Sequence, residues 1–488
     1  MLGSKAMKFS DLKLGFADAT KELMFEPEIF EKAFWDPNDI MDKLLNSWKY
    51  ILAGRKGVGK SAFSARIIRT ANENKTIYAK NLMLNEFEYT TFAKASSDVN
   101  TVGAKRYVNA WNFVIMFQLY KYIYEEVEDK GIEKGIKSVV ELLSRMKLPI
   151  ELNFNKIVGA VSRLKMGVNV GVFDAEFESE FGHEPTSFAE KISSIVERME
   201  KTLEKVSIEK KIYLLIDGVD DILRIKKNQI DILSSLLRSI DLINTHFVER
   251  KINIKVLLFI REDILTLVND PDLNKIKRDG LINLSWSNKA DDLMEIVELR
   301  LHYNKNIKME EKLWNTFFPE ELKGKPSWDY ILEHTLYKPR DLLQFLKTCQ
   351  DYYGNREKLL YAETNQAIKA YSREYFIEEM KNELSGYIKE SLISILPRVF
   401  SGIATNAFVF EDFIRRVEEQ KLKESIDETD LKQLLLILFE AGYIGHLVEG
   451  RGGKVSVLFK YRNPSVTIDY SQRFLIHRGI QKGLGVKL

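Results

Sequence analysis

The sequence predicts an α/β fold built on a mostly parallel sheet, and three observations predict it. Short apolar runs of strand length recur at 48–52, 76–79, 212–217, 254–260 and 281–284. Stretches with apolar residues at three- and four-residue spacing separate them, and strands alternating with helices imply βα units and parallel pairing. After about residue 288 the strand-like runs stop until Tyr443, and helical periodicity takes over.

Residues 1–47 read as a helical lead-in with a turn at Asp36-Pro37-Asn38-Asp39. Trp48 to Leu52 is a short buried strand. A glycine loop follows at once, and Ser61 to Thr70 continues as a helix with Phe63, Ile67 and Ile68 on one side. Thr76-Ile77-Tyr78-Ala79 is the second strand. The stretch from about 95 to 205 is long for a connection and predicts a mainly helical insertion. Tyr107, Trp111, Val114, Ile115 and Leu119 fall at helix spacing, as do Val139, Val140, Leu142, Leu143 and Met146, whereas Met166, Val168, Val170 and Val172 alternate as in a hairpin. These stripes read as packing surface, with a partner-binding face as the alternative.

The core resumes at Ile212–Asp217, passes through a helix at roughly 228–244, and ends with Ile254–Ile260 and Leu281–Leu284. That places a core domain at 48–288. Residues 289–380 predict a helical bundle, with Leu293, Ile296, Val297 and Leu301 on one stripe. Residues 381–488 show three helical patterns, then Tyr443–Leu447, a glycine-rich turn and Val455–Phe459, which is the winged-helix order.

Composition narrows the function. Of 488 residues, 45% are hydrophobic and 30% charged, which is ordinary globular usage. Lys and Arg total 73 against 71 acids, so the net charge of +2 selects neither nucleic acid nor membrane as a global partner. The single cysteine, Cys349, excludes a disulfide framework and thiolate-rich metal sites. No apolar run reaches the roughly 18 residues of a membrane span, and the start of the chain does not read as a signal peptide. The cytoplasm is the expected compartment.

Gly54-Arg55-Lys56-Gly57-Val58-Gly59-Lys60-Ser61, followed by Ala62, fits G-x-x-x-x-G-K-S, the P-loop pattern, between a predicted strand and a predicted helix. Glycines let successive N–H groups turn toward phosphate oxygens, and the helix start adds its dipole. Lys60 would contact the β- and γ-phosphates of ATP, and Ser61 would ligate Mg²⁺. Asp217 ends a buried strand, where a magnesium contact gives the charge a reason to be. Asp220 and Asp221 follow it; one is a candidate to orient the attacking water, the alternative being a cap on the next helix. Arg261 ends the strand after, with Asp263 behind it. It is a candidate γ-phosphate sensor, or else the partner of a surface acid. Lys338-Pro339-Arg340-Asp341 opens a helix, with Pro at its first turn. Arg340 there is a second candidate sensor, or else pairs locally with Asp341 or Glu333.

These motifs, together with Trp286 ahead of a helix carrying Arg300, resemble those of bacterial P-loop ATPases of the AAA+/STAND kind, some of them associated with phage defence. The helical bundle and terminal winged helix are similar to those of origin-recognition-type AAA+ proteins. The resemblance covers about residues 45–350 by motif and 381–488 by pattern. It implies ATP as the nucleotide, a polar sensor at the end of an inserted central strand (Arg261 or Asp263), and a lid sensor at Arg340. Gly218 stands where many AAA+ ATPases carry a glutamate, which implies slow or partner-stimulated hydrolysis. Arg238, Arg250, Arg278 and Arg300 are open candidates for an arginine finger.

Residues 451–488 hold eight Lys/Arg and one acid, whereas Glu411–Asp430 holds eight acids and four bases. Direct DNA contact through 451–488 is one expectation, and docking to a protein partner or a second copy is the other. The function expected is a Mg²⁺-dependent ATP-hydrolysing switch within a bacterial multi-protein system. The alternative is an ATP-dependent DNA-binding regulator or loader.

Overall fold

The computed structural model describes residues 7–74, 76–84, 92, 107–127, 135–137, 139–141, 188–219, 228–268, 273–287, 289–305, 312–403, 405–449 and 455–485. The chain forms two compact units. A sheet unit comprises Asn38–Gly54 and Phe63–Leu284, and a helical unit comprises Met1–Pro37, Arg55–Ala62 and Ser285–Leu488.

The sheet unit holds β1 (Ile51–Gly54), β2 (Ile77–Met83), β3 (Lys211–Asp217), β4 (Ile254–Arg261) and β5 (Leu281–Asn283). Their order is β2-β3-β4-β1-β5, with every pair parallel. This is the α/β architecture expected, with β4 inserted between β1 and β3. All of β1 is buried, as is every residue of β3 after Lys211. Strands buried on both faces read as unbroken apolar runs, which is why the sequence shows them. β2 is longer than its apolar run. It pairs with the whole of β3, from Ile77↔Lys211 to Met83↔Asp217, and its polar Lys80 and Asn81 hide that length.

Helix Asn228–Glu249 packs on β4 and on helix Val108–Glu126, which packs in turn on helix Phe188–Lys205. Tyr107, Trp111, Val114, Ile115 and Leu119 are all buried, and the Trp111 indole donates to the Ile232 carbonyl at 3.0 Å. This stripe is packing surface. Val139 and Val140 are buried too, while Leu142, Leu143, Met146 and the Met166–Val172 hairpin lie outside the described residues.

One polar side chain completes the central strand. β1 begins pairing with β4 only at Leu258, so Val256, opposite Leu214 of β3 on one side, has no strand on the other. Buried Asn244 on the covering helix takes that place. It donates to the Val256 carbonyl at 2.9 Å and accepts from the Val256 amide at 2.8 Å.

In the helical unit, Ala290–Lys305, Trp314–Phe317, Ser327–Leu332 and Pro339–Tyr353 precede a long helical run. That run extends from Tyr361 through a π-helical turn at Ser372–Phe376 to Leu384. The sequence shows no strand in this part, but β6 (Glu321–Leu322) and β7 (Lys325–Pro326) form a two-residue hairpin. Lys323 and Gly324 both have positive φ there, the requirement of a tight hairpin turn. N-terminal residues are built into this unit. Buried Arg300 binds the Glu22 carboxylate at 3.1 Å and the carbonyls of Leu14 and Ala33, and Gln350 donates to the carbonyls of Phe9 and Leu12.

The C-terminal part follows the expected order. Helices Glu390–Gly402, Phe410–Glu418 and Glu428–Ala441 precede a hairpin of β9 (Ile444–Glu449) and β10 (Val455–Leu458). Two strands too short to show in the sequence, β8 (Ala407–Phe408) and β11 (Arg473–Ile476), widen it to an antiparallel sheet of order β10-β9-β11-β8.

Replacing Asn244 by Ala leaves two buried backbone groups of β4 unpaired. The expected loss is on the order of 2–4 kcal/mol of stability, read as a lower denaturant midpoint at unchanged slope.

Candidate functional site

β1 stops at Gly54, and five residues separate it from helix Lys60–Glu73. The short loop between them turns at Gly57 (φ +80°) and Gly59 (φ +101°). Glycine takes this left-handed backbone without a Cβ penalty, and such turns aim successive N–H groups into one concavity. A Cβ placed on Gly59 meets no heavy atom within 4 Å, so the loop is open there. Lys60 is buried, and its ammonium arches back to donate to the Arg55 carbonyl at 3.2 Å. Ser61 is exposed. An open concavity of backbone N–H groups at a helix start, spanned by an ammonium, fits a phosphate chain.

Around this loop the helical unit supplies a second layer. The Arg55 guanidinium donates to the Leu336 carbonyl at 2.8 Å and lies over the Tyr461 ring, 5.0 Å from its centroid. Lys56 pairs with Glu379 at 3.4 Å and Glu383 at 4.0 Å. The Trp286 indole donates to the Val58 carbonyl at 2.8 Å. Side-chain carbons of Arg340 and Lys338 lie 3.5 Å from where a Gly57 Cβ would stand. Arg340 is therefore brought to the loop.

Neither local acid engages Arg340. The Asp341 carboxylate accepts from the Leu336 amide at 2.8 Å and the Tyr375 hydroxyl at 3.3 Å, and burial raises its pKa against the pull of Lys338. Glu333 binds Lys325 and Arg478. Among the described residues no hydrogen bond or ion pair holds the Arg340 guanidinium, which stays half-exposed beside Gly57.

In the sheet unit, Gly54 stands opposite Arg261 on the neighbouring strand, and Asp217 ends β3 on the other side of β4. Asp217 is buried, and its carboxylate accepts from the Gly218 amide at 2.8 Å. Arg261 binds Asp263 in a fork, Nε to Oδ1 at 3.0 Å and Nη2 to Oδ2 at 2.6 Å. Asp220 and Asp221 lie outside the described residues. Among the arginine-finger candidates, Arg300 is buried in the Glu22 pair, whereas Arg250 and Arg278 are exposed beside Glu204 and Asp279.

Residues 291–378 match the model of a family described as the FunZ-associated C-terminal helical domain. Over 96% of its length the chain is 21% identical to a putative transposon gamma-delta 80.3 kDa protein of Escherichia coli K12, of which the match covers 67%. A shorter match, 25% identical over 118 residues, is to the allergen Alt a 2 of Alternaria alternata and covers 62% of it. Two solved structures are similar along most of both chains. The Aeropyrum pernix Orc1 protein in complex with DNA is 13% identical, covering 94% of this chain and 91% of its own, with a TM-score of 0.37. Cdc6p from Pyrobaculum aerophilum is 12% identical, covering 97% of each chain, with a TM-score of 0.30. Among the described residues no helix is long and apolar enough to cross a membrane.

Among the described residues, four of the five C-terminal cations are committed within the chain. Lys460 binds the Val466 carbonyl and Glu440, and Arg462 binds the Tyr337 hydroxyl. Arg478 binds Glu333 and Lys482 binds Asn365. Arg473 is exposed, while Arg451, Lys454 and Lys487 lie outside the described residues. Sequence inspection missed the loop's contacts with Leu336, Tyr461, Glu379 and Glu383. No motif could have signalled them, because they join residues hundreds of positions apart.

Three histidines anchor this part in neutral form. His477 accepts from the Gly479 amide at 3.0 Å, and His446 accepts from the Asp469 amide at 2.9 Å. Burial lowers both pKa values, and lowers that of His334 to about 4. In the unfolded chain each protonates near the ordinary 6.5, so between about 6.5 and 4 the unfolded state binds more protons. The stability these groups give is whole above pH 6.5 and is lost as pH falls. Melting temperature should drop steadily from pH 6.5 to 4; a flat profile would contradict the neutral assignments.

Proposed function

We propose that this chain binds ATP with Mg²⁺ through Gly54–Ala62 and works as a nucleotide-dependent switch. The observation that carries this is the company the loop keeps. An open glycine concavity bridged by Lys60 belongs to the same compact unit as the helix from Pro339 and the C-terminal sheet. Arg55, Lys56, Val58 and Gly57 each touch that unit. Loading the loop therefore changes the electrostatics of elements that can pass the signal on.

In this proposal the loop amides and Lys60 hold the phosphates, and Ser61 with Asp217 holds the metal. Arg261 with Asp263, and Arg340, respond to the γ-phosphate, and Asp220 or Asp221 orients water. ATP supplies the anhydride whose hydrolysis resets the switch. Gly218 in place of a second acid favours slow or partner-stimulated turnover. The domains would be a lead-in (1–47), an ATPase core (48–288, insertion about 95–205), a lid (289–380) and a winged-helix-like domain (381–488). The setting would be cytoplasmic, with a protein partner or further copies of the chain, in a multi-protein system of the mobile-element or phage-defence kind. The similarity along nearly the whole chain to an E. coli protein described as a putative transposon protein supports the mobile-element part of that setting.

DNA binding through 451–488 gains no support from the described cations, four of which are bound within the chain. A duplex titration across a salt series would revive it by showing a steep slope.

Lys60→Ala should abolish ATP binding in calorimetry, and wild-type affinity in that variant would sink the site. Asp217→Asn should slow phosphate release by roughly 10- to 100-fold, the usual effect of removing an outer metal partner. Undiminished release would remove Asp217 from the metal's surroundings.

A further inference from the structure

We infer that Arg55 and Tyr461 form a positioning pair, through which the turn that follows β10 preorganises the phosphate loop. The inference rests on the ATP reading above and adds a specific residue pair to it. Arg55 is the loop's first residue after β1, and its guanidinium is held at two points. One is the Leu336 carbonyl at 2.8 Å, just ahead of the helix that carries Arg340. The other is the face of Tyr461, at 5.0 Å.

Tyr461 is itself fixed. It is buried, its hydroxyl meets His477 Nε2 at 3.2 Å, and its ring stacks on Phe459 with centroids 5.5 Å apart. Arg462 shares that ring at 5.6 Å while donating to the Tyr337 hydroxyl at 2.7 Å, and the Tyr337 and Tyr461 rings lie 5.9 Å apart. The next loop residue, Lys56, is held by Glu379 and Glu383 on a different helix. Two successive loop residues are thus pinned by two elements. Pinning them removes backbone freedom that phosphate binding must otherwise restrict, so affinity should depend on a ring more than 400 positions away in the sequence.

A guanidinium on an aromatic face contributes about 0.5–2 kcal/mol, which corresponds to roughly 2- to 30-fold in a dissociation constant. By reciprocity, ATP should tighten the seat of Tyr461 by the same factor.

The test measures Mg²⁺·ATP affinity by calorimetry on the full chain and four variants: Tyr461→Leu, Tyr461→Phe, Arg55→Ala and the Arg55→Ala/Tyr461→Leu pair. Tyr461→Leu and Arg55→Ala should each weaken binding within that range, and the double variant should weaken it no further than the worse single. Tyr461→Phe keeps the ring and should bind as wild type. Unchanged or tighter binding in Tyr461→Leu, or additive losses in the double variant, would overturn the pair. Hydrogen exchange without nucleotide separates the two readings. If the wild type binds no ATP, faster exchange at 55–62 in Tyr461→Leu but not in Tyr461→Phe would still support positioning. Unchanged exchange would end it.

Discussion

The hydrogen bonding of β4 to β3 on one side and β1 on the other is the constraint on which the sheet unit depends. Because all three strands run the same way, Gly54, Asp217 and Arg261 finish on one edge. Had β1 paired directly with β3, Arg261 would have no place beside Gly54. Asn244 shows what the insertion requires. β4 outruns β1, and a side-chain amide takes over where a strand is lacking. A buried parallel strand tolerates no orphan backbone group, so a polar residue sits in an otherwise apolar interface.

Sequence legibility followed the physics of each element. Strands buried on both faces announced themselves as apolar runs, so β3 and β4 emerged close to their observed spans, and the half-buried β5 did so too. The glycine loop was legible because its motif sets residue types at fixed spacing. β2 was cut short because its polar end is paired but only half-buried. β6, β7 and β8 were invisible because two residues show no period. The partners of Arg55 were invisible for a different reason. Leu336 contributes a carbonyl, which any residue has, and a buried Tyr461 looks like any core aromatic.

The helical unit makes the glycine loop more than a turn between a strand and a helix. Arg55, Lys56, Gly57 and Val58 meet four different neighbours: a ring, a pair of carboxylates, an arginine stem and an indole. Positions that the motif leaves free to vary are therefore tied to the rest of this chain. A loop held this way has little backbone freedom left to lose.

That arrangement also has a consequence for how the protein is made. The loop residues leave the ribosome early, but Arg55 waits for Leu336, 281 positions later, and Val58 for Trp286, 228 positions later. At about 5–20 residues per second the delay is on the order of tens of seconds. Until then the glycines lack their second layer. The loop would thus be among the last parts of the molecule to acquire its final shape, after the strand that leads into it.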